Sequence, residues 1–162
     1  MQKSPNLMQK KQEKWRFLPD MTNKNFGEKM EIHHKIAGII IKDKKLLMVR
    51  KYNEPHFIMP GGKIKENETK EQALKRELKE ELSIELKSMK KIKTWEAKHF
   101  KDKNKIVKME TYFVEILGEP KATNEINELK WIDSSYKDKN IKLASINQDY
   151  LIPELKKLGL II

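Results

Sequence analysis

GGKIKENETKEQALKRELKEELSIEL, residues 61–86, opens on two glycines and continues as a dense ladder of glutamates and lysines. Leu74, Leu78 and Leu82 recur every four residues and make one apolar stripe, which predicts a helix over Glu68–Leu82. Gly61 and Gly62 predict a loop just before it. With Glu77 at zero on a helical wheel and about 100° per residue, Glu80 falls near −60° and Glu81 near +40°. Three carboxylates therefore share one helix face at i, i+3 and i+4. Arg76 reaches Glu80 at i+4, which softens their mutual repulsion without removing it.

A divalent cation would resolve that repulsion. Magnesium prefers oxygen ligands, accepts a few carboxylates, and takes water and phosphate oxygens for the rest. The glycines fit this chemistry, because a backbone without Cβ lets a main-chain carbonyl approach an ion.

Outward from the helix, strands are expected at His33–Ile41, Lys45–Lys51, Phe57–Met59, Ile84–Ala97, Val107–Leu117 and Leu129–Ile132. Asp43 and Lys44 predict a turn that pairs the first two as a hairpin. A terminal helix is expected over Gln148–Leu158, starting late or bending at Pro153. Strands flanking a central helix, with a second helix closing the chain, predict an α/β layer architecture with a mixed sheet. Residues 1–30 show no sustained period and are expected to form a flexible basic arm, with Trp15, Phe17 and Leu18 free to dock; 31–162 is the expected domain.

The chain has 162 residues, suiting one folded domain, and a formal net charge of +11, suggesting polyanionic partners. Most lysines alternate with glutamates, so the bulk charge reads mainly as a solvated surface. With no cysteine, disulfides, thiolate metal sites and a cysteine nucleophile are excluded, and a cytoplasmic location is expected. No apolar run is long enough to span a membrane.

The stretch resembles the signature of the Nudix hydrolases: glycine, five residues, glutamate, seven residues, then Arg-Glu-apolar-any-Glu-Glu-any-Gly-apolar. The corresponding positions are Gly62, Glu68, Arg76, Glu77, Leu78, Glu80, Glu81, Ser83 and Ile84, all matching but Ser83, and the stretch that holds them is about a seventh of the chain. Ser83 stands where the signature has glycine, at a cost of up to about 1 kcal/mol at the helix end. The resemblance implies an α/β/α sandwich and a hydrolase of nucleoside diphosphate derivatives that uses magnesium or manganese. It implies that Glu77, Glu80 and Glu81 are metal ligands with the Gly62 carbonyl, and that Glu68 and Arg76 tie loop to helix. It also implies that a carboxylate takes the attacking water's proton: Glu77 or Glu80 in the helix, or a later-loop acid, Glu125 with Glu128 as its near rival.

Lys63, after the glycines, and Arg50 with Lys51, at a strand end, are candidate phosphate contacts or surface cations. Phe57 stacks on a base or fills the core. Trp95 and Trp131 read as packing residues, and His33 and His34 as ordinary strand residues. The MPGGK form of the loop looks more like the triphosphate-cleaving members, which favours a (d)NTP, an oxidised one such as 8-oxo-dGTP included. The alternatives are ADP-ribose, a dinucleoside polyphosphate or an RNA 5′ end, with RNA the less favoured partner. A non-catalytic nucleotide-binding regulator is the competing class, and the complete glutamate set argues against it.

Overall fold

Two strands show how the chain distributes its apolar residues. In β1 (Glu31–Ile39), Ala37 and Ile39 join one core cluster while Ile36 joins another. In β3 (Lys45–Lys51), Leu46 and Met48 enter the first cluster, and Leu47 and Val49 the second. The two-residue period of a strand therefore feeds two separate cores, one on each face, so both strands are apolar throughout their buried parts. The computed structural model describes residues 30–99, 102 and 104–162. The expected arm, apart from Met30, lies outside the described residues, as do parts of the lysine-rich loop after His99.

The first sheet runs β4 (Gly61–Lys63), β1, β6 (Lys105–Leu117), β5 (Glu85–Lys98). It is mixed, because β1 and β6 are parallel while the other neighbours are antiparallel. The second sheet is antiparallel: β2 (Ile41–Lys42), β3, β7 (Ile126–Ile132). The expected hairpin shrinks to β2 and β3. Residues 31–39 instead pair with β4 and β6, and the chain changes sheets at Ile40, whose carbonyl still accepts from Leu47 N–H at 2.9 Å. The expected strand at Phe57–Met59 is reduced to bridges from Phe57 to Leu143 and from Ile58 to Val49.

The central helix α1 spans Lys70–Leu82, two residues shorter at its start than the expected Glu68–Leu82. Thr69 stops it there: its hydroxyl accepts from Gln72 N–H at 3.1 Å while the Gln72 side chain accepts from Thr69 N–H at 2.9 Å. At the other end Ser83 caps in the left-handed region, φ 57°, the conformation that glycine adopts most readily. Ala73, Leu74, Leu78 and Leu82 bury this helix in the second core. The first core is covered by a π-helical turn, Asn147–Leu151, running into α2 (Ile152–Lys157), through Leu151, Ile152 and Leu155. Pro153 lies in the first turn of α2, where a missing N–H costs least, so the expected bend appears as this change of helix type. Helix, sheet and helix stack as the expected α/β/α sandwich.

Candidate active site

Gly61 takes φ 144°, and a Cβ there would run into the Ile36 carbonyl oxygen. That conformation aims the Gly61 N–H at α1, where it donates to Glu81 Oε2 at 2.9 Å. At Gly62 the space of a Cβ is filled by the Glu77 carboxylate, which lies directly against the bare backbone. Two residues without side chains thus let β4 and two helix carboxylates come into contact.

Glu81 is only 1% exposed, and its Oε1 has no hydrogen-bond partner. Burial pushes its carboxyl up to about 8; the Gly61 N–H and Lys51 pull it back only in part, and Glu77 and Glu125 push it further up. Glu77 is nearly buried and accepts from Arg76 Nη1 at 2.6 Å.

Arg76 spreads its remaining donors across the loop. Nε and Nη2 reach the two oxygens of Glu68 at 2.7 and 2.9 Å, and Nη2 also donates to the Lys63 carbonyl at 3.0 Å. Lys65 N–H adds a bond to Glu68 at 3.0 Å. The Arg76 fork, with that N–H, holds the Glu68 carboxyl far below its ordinary range, at about 2. The loop between β4 and α1 is pinned to the helix by one guanidinium.

Glu125 arrives from far along the sequence. The last carbonyls of α1, which no helical N–H can satisfy, are taken by the segment before it. Thr123 Oγ1 and Asn124 Nδ2 donate to the Glu80 carbonyl at 2.7 and 2.6 Å. Thr123 N–H donates to the Glu81 carbonyl at 3.0 Å and Lys121 N–H to the Leu82 carbonyl at 2.9 Å. This strap delivers Glu125 to the site, where carboxylate oxygens of Glu77, Glu81 and Glu125 lie within 4.8 Å of one another. Lys51 completes the group, 2.9 Å from Glu125 and 3.9 Å from Glu81. Burial alone would push the Lys51 ammonium down, but those acids outweigh it and hold it above the ordinary lysine range.

The acids that converge are therefore Glu77, Glu81 and Glu125. Glu80 is half exposed and faces Arg76 at 3.4 Å. The converging set suits a hard divalent cation: its donors are all oxygen, one buried carboxylate oxygen lacks a partner, and a glycine leaves backbone accessible.

The other expected site residues lie elsewhere. Arg50 donates to Glu128 at 2.7 Å, and its guanidinium sits 5.4 Å from the centre of the Phe57 ring. These three line a separate hollow of about 300 Å³ with Lys130 and Lys142, because successive β3 residues leave on opposite faces. Phe57 is itself part of the first core. Trp95 packs against Tyr150 with ring centres 5.7 Å apart. The Lys63 side chain is exposed, and directly across the β1–β4 ladder from it stands Lys35, half-buried and not singled out by the sequence. The capping strap was also missed; Thr123 and Asn124 in a polar loop carry no local mark of the helix end they close.

A family model described as the NUDIX domain matches residues 32–150. An ADP-ribose pyrophosphatase from Methanocaldococcus jannaschii is 29% identical over 110 residues, and the match spans 65% of this chain and 65% of that relative's length. A NUDIX hydrolase from Nitrosomonas europaea superposes with a TM-score of 0.65 at 15% identity, covering 80% of this chain and 90% of that one. A MutT protein from Bacillus halodurans superposes at 0.60 with 20% identity, covering 75% and 80%.

Proposed function

The chain belongs to the Nudix family, and we propose that it is a divalent-metal-dependent pyrophosphohydrolase of nucleoside triphosphates. The observation that carries this reading is the meeting of Glu77, Glu81 and Glu125 within 4.8 Å at the glycine bend. Magnesium or manganese, held by Glu77, Glu81 and the Gly62 carbonyl with Glu80 as a further ligand, would neutralise the phosphate chain and acidify a water.

The chain's own groups do the rest. Glu81 keeps a proton near neutral pH while no cation faces it, and loses it to bind one. Arg76 and Glu68 fix the loop so that the Gly62 carbonyl does not drift from the acids. Glu125 is more than half exposed, stays within reach of Glu77 and Glu81, and accepts the proton of the attacking water. Lys51 holds Glu125 in place by its 2.9 Å ion pair. Lys63 supports the phosphate chain on the solvent side. Arg50 and Phe57 enter as the outlying part of the substrate surface, since the hollow they line is not the one the acids surround.

The name of the archaeal relative favours a second reading, in which the substrate is ADP-ribose. Release of phosphate or pyrophosphate from a panel of nucleoside triphosphates, oxidised triphosphates and ADP-ribose, with and without Mg²⁺, tests both. Metal-independent turnover, or turnover that survives Glu81→Gln, would remove the proposal.

A further inference from the structure

Lys35 sits in an unusual place for a lysine. It lies within β1, between β4 and β6, opposite Lys63 on one side and Met109 on the other. Two residues further along β1 the strand is in the core, with Ala37 2% exposed. Among the described residues, no acid pairs with the Lys35 ammonium, and the charges that act on it are those of Lys51 and Lys63. Burial first, and then repulsion from these two lysines, holds it below the ordinary lysine range. Lys51 has its own acids, Glu125 and Glu81, but among the described residues Lys35 and Lys63 have none.

Directly opposed residues of an antiparallel pair share a face with Cα atoms about 5 Å apart, and like charges there are destabilising. Two unpaired ammoniums in that position repel each other and lose hydration. A dianion bridging them removes both costs. Ile36 and Gly62, the neighbouring pair of the same ladder, present the opposite face, which the Glu77 carboxylate covers. The acids and the lysines thus stand on two sides of an edge strand that is bare of side chains at Gly61 and Gly62.

We infer that Lys35 and Lys63 bind the terminal phosphate of a nucleoside triphosphate, whose chain passes over the glycine edge from the acid cluster. The inference rests on the hydrolase reading and sharpens its substrate class. A linkage between two nucleosides or sugars places both of its phosphates, one charge each, in the reacting bridge. A triphosphate offers one more group, carrying up to two charges, and this is the anion that two free ammoniums match. Lys35 is on this account a specificity-determining residue.

The test compares wild type with Lys35→Met and Lys35→Arg in steady-state kinetics on a nucleoside triphosphate and on ADP-ribose with Mg²⁺, alongside thermal melting. For Lys35→Met the ratio of kcat/KM for triphosphate over that for ADP-ribose falls about tenfold, carried by KM, and Lys35→Arg restores most of it. The melting temperature of Lys35→Met is equal to or above that of wild type, since an unpaired half-buried charge is removed; a structural lysine would lower it. An unchanged ratio, or equal loss on both substrates with a lower melting temperature, overturns the inference. If wild type turns over neither substrate, the hydrolase reading fails by itself. Calorimetric binding of inorganic tripolyphosphate against pyrophosphate then decides: a preference for tripolyphosphate that Lys35→Met abolishes sustains the lysine pair, and equal binding refutes it.

Discussion

Asn124 donates its side-chain N–H to the main-chain oxygen of Glu80 at 2.6 Å, so a loop residue closes the C-terminal end of the helix that carries the acid cluster. Asn124 itself takes φ 50°, a backbone conformation that asparagine tolerates better than most residues. Asn124→Ala removes the bond and strains the backbone together. The expected loss is about 1–2 kcal/mol in a denaturant titration. Glu125, the next residue, loses its anchor, so kcat falls as well.

Glu81→Gln keeps an acceptor for the Gly61 N–H but cannot ionise. Turnover drops on the order of a thousandfold, and a melting curve no longer shifts on adding Mg²⁺. The wild-type pH dependence has a definite sign. The folded carboxyl titrates at about 8 against an ordinary 4.5, so between those values the folded state holds more protons than the unfolded state. Without divalent ions, stability therefore declines as pH rises from about 5 to 8, by up to about 4 kcal/mol from this group. Saturating Mg²⁺ flattens the decline, and Glu81→Gln abolishes it. Melting curves across this window, with and without the ion, read both effects.

Gly62→Ala places a methyl where the Glu77 carboxylate now lies. Glu77 must swing away from the bend. The expected cost is about 1–3 kcal/mol of stability, and Mg²⁺ affinity measured by calorimetry falls at least about tenfold.

Arg76→Lys preserves the charge but loses the fork that spans Glu68, Glu77 and the Lys63 carbonyl. The loop then moves relative to α1, and kcat falls about 10–100-fold with a smaller change in KM. Proteolysis near residues 64–68 becomes faster than in wild type.

Ser83→Gly relieves the left-handed position at the end of α1, where φ is 57°. The expected gain is about 0.5–1 kcal/mol, seen as a higher midpoint in urea without change of slope.

The helix and its acids are legible in the sequence because their geometry is local. A leucine every fourth residue sets the buried face, and the spacing of Glu77 and Glu81 follows from it. The strand segments are legible through their β-branched and apolar runs, but their partners are not. His33–Ile41 reads as one arm of a hairpin, yet its pairing with β4 and β6 depends on contacts scattered over the chain. The same limit governs the site. Glu125 reaches Glu81 only because Thr123 and Asn124 satisfy carbonyls more than forty positions earlier. Arg50 and Lys51 are adjacent in sequence, and only the packed strand sends one to Glu128 and the other to Glu125. Lys35 looks like any solvated lysine until β4 and β6 close on both sides of it.

The passage of one continuous segment from the first sheet to the second at Ile40 has a mechanical consequence. The segment acts as a shared beam: neither sheet can come apart without dragging on the other. Loosening that reaches Ile39 and Ile40 is transmitted to Leu47 through the hydrogen bond that the Ile40 carbonyl accepts, and through β3 to the lysine that steadies Glu125. The acid cluster at the bend and the integrity of the far sheet are thereby yoked, so partial melting of the far sheet is expected to displace Glu125 from Glu77 and Glu81.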